Sequence, residues 1–197
     1  MKSKMKSCLI IASFLGSLST LAQEKPIRIG VKIGYPNALG GNIEYVTPLL
    51  GKKLAPSIEY STLSPEKLLE IEKFDYSYLQ FGFNYYFFKP GKGLYSNLSY
   101  GILKTEIIDS GYSSDTDYNK TGTGYVKLLN KSVNLKLGAK LGSGFYFRPE
   151  IGYALTPVPE FLDTTVKFSD GTSEVQQESI SPLNSGLMFN FGFGAAF

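Results

Sequence analysis

Side chains along most of this 197-residue chain alternate between apolar and polar or small. A period of two is the signature of β-strands with two unlike faces. Eight segments carry it. In Ile27–Tyr35, Ile27, Ile29, Val31 and Ile33 stand against Arg28, Gly30, Lys32 and Gly34. Residues 42–50 set Ile43 and Tyr45 against Asn42 and Glu44, and residues 54–61 set Leu54, Ile58 and Tyr60 against Ala55, Ser57 and Glu59. Residues 75–88 carry Leu79, Phe81, Phe83, Tyr85 and Phe87 opposite Gln80, Gly82, Asn84 and Tyr86. In residues 94–106, Leu94, Leu98, Tyr100 and Ile102 oppose Asn97, Ser99 and Gly101. The pattern is sharpest in 132–141, where Val133, Leu135, Leu137 and Leu141 face away from Asn134, Lys136, Gly138 and Lys140. Residues 145–155 follow, with Pro149 predicting a missing ladder bond or a bulge. Residues 183–197 end the series on Leu187, Phe189, Phe191, Phe193 and Phe197.

Strands of roughly eight to fifteen residues exceed the usual globular strand and suit tilted spans of a bilayer. Links after the second, fourth and sixth segments are short and rich in Gly or Lys. Those at 62–74, 107–131 and 156–182 are long, while 36–41 is short. In an up-and-down barrel alternate links share a rim. The pattern therefore predicts an all-β fold: an eight-stranded antiparallel transmembrane barrel with short periplasmic turns and longer extracellular loops. Within the long links, Ser64-Pro65-Glu66 before KLLEIE predicts a short helix, and Asp170-Gly171 predicts a protruding hairpin.

The same alternation also fits a soluble lipocalin-like barrel with its apolar rows turned inward. Glycine interleaved with charge on the polar rows, links sorted by rim and an aromatic last segment favour the membrane barrel. Residues 1–22 read as a secretory signal peptide: Lys2, Lys4 and Lys6 precede an apolar run too short to span a bilayer, and Thr20-Leu21-Ala22 offers a cleavage point. The barrel domain is expected to occupy 23–197 with no second domain. Removing the three leader lysines takes the net charge from +3 to zero, so nothing attracts nucleic acid. Cys8, the one cysteine, lies in the leader.

The leader ending Leu21-Ala22-Gln23, the run Arg148-Pro149-Glu150-Ile151-Gly152-Tyr153 and the terminal aromatic segment resemble the small eight-stranded outer-membrane barrels of Gram-negative bacteria. That is the OmpA-, OmpX- and OmpW-like group, and the variant common in Bacteroidota is nearest. The resemblance implies residence in the cell outer membrane, with its lipid and the barrel-assembly machinery as partners. It also implies that Phe189, Phe191, Phe193 and Phe197 form the signal read at assembly; the same four residues suit a purely lipid-facing role. It says little about function, because such barrels range from anchors and adhesins to channels.

Chemistry is sparse. Arg28, Lys32, Glu44, Glu59, Lys136, Lys140, Arg148 and Glu150 share the inward parity, five cations with three carboxylates. They predict a lumen ion-pair network that fixes strand register, or a narrow anion-preferring passage. There is no histidine, so the familiar nucleophile–base arrangements of an enzyme are missing, and no cofactor is expected. Asp109, Asp115 and Asp117 lack the rest of a calcium loop and read as a solvated acidic link, so no metal is expected. Two roles stay open: a structural or interaction barrel whose long loops meet an extracellular or envelope protein, and a passive conduit for small or hydrophobic solutes.

Overall fold

Antiparallel pairing runs from each of the predicted segments to the next and back to the first, so the sheet closes. The computed structural model describes residues 25–64, 72–115, 120–179 and 183–197. The leader, residues 65–71 of the helix expected in the first long link, and Asp117 lie outside them. The strands are β1 (Ile27–Tyr35), β2 (Ala38–Tyr45), β3 (Leu54–Leu63), β4 (Lys73–Tyr86), β5 (Gly93–Ser113), β6 (Thr121–Gly142), β7 (Phe145–Ala154), β8 (Phe161–Phe168), β9 (Ser173–Ser179) and β10 (Leu187–Ala196). β1 to β7 and β10 make an eight-stranded barrel, closed where β1 meets β10 from Arg28↔Ala196 to Tyr35↔Phe189.

The faces settle which way the rows point. Phe193 is 59% exposed and Leu137 47%, whereas Lys136 is 4% exposed and Arg148 fully buried. Apolar rows face out and polar rows face in, the inverse of a lipocalin-like barrel. The polar interior is then an enclosed space in which every side chain needs a partner.

Two departures from the sequence reading have physical causes. β2 starts at Ala38, because the link from β1 is only Pro36-Asn37 and the glycines 40 and 41 pair with Ser61 and Tyr60. Glycine carries no hydropathy signal, so the pattern hid the first half of that strand. The 107–131 link is mostly strand: β5 and β6 stay paired up to Ser113↔Thr121, with a bulge at Gly111 (φ +91°). Alternation does not mark that extension, because it is apolar on both parities, as at Ile107-Ile108 and Leu128-Leu129. At Pro149 the β6–β7 pairing lapses between Gly138↔Glu150 and Leu141↔Phe147 without a register change, so a bond is missing and no bulge forms.

The Asp-Gly hairpin stands where the sequence put it, as β8–β9, and it docks on the extension of β6 from Gly122↔Phe168 to Val126↔Thr164. Val126, Thr164, Val166 and Phe168 are buried between these strands, and a Cβ on Gly124 would lie 2.5 Å from the Tyr112 ring. Gln176 donates to the carbonyl of Ser113 at 2.7 Å, and Ser114 to Glu174 at 2.8 Å. Lys120 meets Asp170 at 2.7 Å, and this contact holds the Asp170 carboxyl well below the usual aspartate range. The long-link rim thus carries a projecting four-stranded sheet with its own small core.

Candidate functional site: the barrel lumen

Five barrel strands supply the charges: Arg28 and Lys32 from β1, Glu44 from β2, Glu59 from β3, Lys136 and Lys140 from β6, Arg148 and Glu150 from β7. Alternation aims all eight inward, and closure of the barrel brings together residues over a hundred positions apart. All eight are buried.

Two clusters form. Nearer the short-turn rim, Glu44 takes Lys140 at 2.6 Å, Arg148 at 3.4 Å and Arg28 at 3.9 Å. Tyr86 and Asn84 also donate to it, at 2.7 and 2.6 Å. Higher up, Glu150 meets Lys32 at 2.5 Å, Arg148 at 2.7 Å and Lys136 at 4.0 Å, and accepts the Tyr95 hydroxyl. Glu59 pairs with Lys32, with Lys136 at 3.4 Å and with Arg148 at 3.8 Å. Arg148 touches all three carboxylates and joins the clusters. Its planar fork and permanent charge suit that bridging position better than a lysine would.

The alternation puts Tyr86 on an inward row but assigns the tyrosines no part in the lumen. Tyr95 and Tyr86 pack with ring centroids 5.2 Å apart and planes tilted by 48°, and with Val46 and Ala55 they form an apolar layer at the short-turn rim. Lys140 sits over the Tyr86 and Tyr146 rings at 5.1 and 4.9 Å. The signal for these rings was in the glycines. Tyr95 is opposite Gly138, where a Cβ would lie 2.5 Å from the ring, and Tyr146 is opposite Gly194. At these two positions the ring occupies the space that a side chain on the neighbouring strand would need.

Above the ions lies a neutral polar layer. Tyr78 donates to Gln80 at 2.9 Å and accepts from Asn134 at 2.9 Å, while lower down, beside Glu44, Asn97 donates to Asn84 at 2.7 Å. At the long-link rim Val158 folds over Tyr78, Leu103 and Met188. The backbone beside it is tied by Ser132 and Asn130 to Thr156 at 3.0 and 3.2 Å. A cavity of about 30 Å³ remains beneath this cap, room for a water or two. The lumen is therefore a charged layer between two apolar ones, chemically suited to cross-linking strands.

Phe189, Phe191 and Phe193 line the outer wall, and Phe193 and Phe191 pack on Phe147 at 5.0 and 6.2 Å. Phe197 exchanges backbone hydrogen bonds with Ile27 at 2.8 and 3.2 Å, at the seam where the barrel closes.

No protein-family model matches this chain, and no curated protein matches it by sequence. Among solved structures it is similar to CarO of Acinetobacter baumannii, with a TM-score of 0.50 and 10% identity over 87% of this chain and 98% of that one. The N-terminal β-barrel domain of Pseudomonas aeruginosa OprF gives 0.44 and 16% identity over 88% and 98%. A major outer membrane protein from Thermus thermophilus gives 0.39 and 10% over 87% and 99%. The likeness to CarO is one of fold.

Proposed function

We propose that this chain is an integral outer-membrane barrel without enzymatic activity, whose closed, cross-linked wall presents the projecting β5–β6–β8–β9 sheet to a partner outside the cell. The observation that carries this reading is the filled lumen: ion pairs across the middle and apolar layers at both rims leave the projecting sheet as the part with surface to offer. The outward band, from Ile29 and Val31 round to Phe191 and Phe193, supports membrane insertion. An exposed apolar surface far beyond a few hundred Å² is not sustained in water. The lack of histidine supports a non-enzymatic role. Planar-bilayer recording tests the reading: the purified barrel should give no stable single-channel conductance. A stable conductance that falls when Lys136 and Lys140 are neutralised would replace it with the conduit.

In the same reading the row Phe189, Phe191, Phe193 and Phe197 serves barrel assembly. Deleting Phe197 should lower the amount of heat-modifiable barrel in the outer membrane while export across the inner membrane continues. Unchanged amounts would leave these residues as lipid-facing bulk only.

A further inference from the structure

The outer wall of β5 and β6 changes character where its apolar band ends. Outward positions of β6 run Leu137, Leu135, Val133 and then Lys131; those of β5 run Leu98, Tyr100, Ile102 and then Lys104. Lys131 lies opposite Ile102 and Lys104 opposite Leu129. The two lysines are therefore diagonal neighbours, with Cα atoms about 7–8 Å apart. Ser77 of β4 is the cross-strand neighbour of Lys104 on its other side. Both lysines are exposed, and among the described residues neither meets a carboxylate within ion-pair distance. The nearby Glu106 is already held by Lys73 at 3.2 Å and Lys127 at 3.5 Å. Two like charges on long arms, side by side and without a counter-charge, repel each other unless they share an anion.

A second feature lies below them on the same wall. A shallow groove of about 370 Å³ is bordered by Ser96, Leu135, Leu137, Ile151 and Tyr153. That volume is within the roughly 300–1,000 Å³ of ligand clefts. Ser96 opposite Leu137 is the small residue that opens it, a gap in an otherwise bulky apolar row. Leu135 sits four residues below Lys131 on the strand, roughly 13 Å at about 3.3 Å per residue. A headgroup at the lysines would place its chain in the groove.

We propose that this wall binds a phosphate-bearing lipid, its phosphate shared by Lys104 and Lys131 and one acyl chain seated along Leu135 and Ile151. The proposal rests on the membrane-embedded reading and adds a ligand to it. The Ser77 hydroxyl is placed to donate to the same phosphate. Other anions would find the lysines but not the groove, and neutral lipids the groove but not the lysines.

Native mass spectrometry of the full chain in detergent, supplemented with dioleoyl phosphatidic acid, dioleoylglycerol or inorganic phosphate, tests this. Phosphatidic acid should be retained, dioleoylglycerol should not, and inorganic phosphate should fail to displace the lipid. Lys104→Gln with Lys131→Gln should cut retention on the order of tenfold or more, since each lysine contributes separately to anionic lipid binding. Leu135→Phe, which narrows the groove and leaves both lysines in place, should cut it as well. Lys89→Gln with Lys92→Gln, at the opposite rim, should change nothing. The proposal is overturned if the double lysine variant or Leu135→Phe retains the lipid as the parent does, if Lys89→Gln with Lys92→Gln loses it equally, if dioleoylglycerol is held as well, or if inorganic phosphate displaces the lipid. Co-sedimentation of the barrel with vesicles reports separately on membrane insertion, so a failure of that reading is distinguishable.

Discussion

Glu150→Gln should lower the stability of the folded barrel by about 3–5 kcal/mol, the usual cost of removing one partner from a buried ion pair. Glu150 takes Lys32 at 2.5 Å and Arg148 at 2.7 Å, and accepts the Tyr95 hydroxyl. Glutamine keeps the shape and one acceptor oxygen but not the charge. Lys32, Lys136 and Arg148 would then share Glu59, and Arg148 would lean further on Glu44, which already holds Lys140 and Arg28. The denaturation midpoint of the barrel in detergent measures the loss. Glu106→Gln provides the scale. Its partners Lys73 and Lys127 are solvent-exposed, and an exposed pair contributes about 0–1 kcal/mol. If both variants lose the same small amount, water screens the lumen charges and the cross-linking role fails. The reversal potential of the Glu150→Gln protein should be unmeasurable for want of current; a shift toward anion selectivity would instead point to an open passage.

Arginine on the outer wall should be the next most damaging change. At Phe83, Leu137 or Ile151 it should cost about 2–4 kcal/mol in a bilayer, because each of these side chains lies on the outward apolar row. The cost should follow depth: Lys131 already occupies the same row above Val133, so Val133→Arg should be milder than Leu137→Arg. Refolding yields into vesicles, compared along β6, check both the size and the gradient. Tolerance of Leu137→Arg equal to that of Val133→Arg would remove the membrane-embedded reading. Inward arginine fails for another reason. A Cβ on Gly152 would lie 2.5 Å from the Leu135 carbonyl oxygen, and one on Gly138 as close to the Tyr95 ring. Neither position has room for any side chain.

Period-two alternation was enough to place all eight barrel strands and to assign each charge to a face, because alternation is a local property of the extended backbone. It could not say which face met water. Apolar rows packed inward and apolar rows facing lipid read identically along a strand, and only the folded barrel, with Leu137 outside and Lys136 inside, made the choice. The ends of β2 and the long extension of β5 and β6 were hidden for a related reason. Glycine in β2 carries no hydropathy, and the extension buries one face against β8–β9 outside the barrel, so its pattern follows a second core. Which carboxylate meets which cation was also beyond the sequence. Lys32 and Glu150 are 118 residues apart, and their distance depends on the registers of several strands around the ring. Residue order along the chain determined the list of lumen charges; strand stagger and barrel closure alone decided that Arg148 would stand between all three acids.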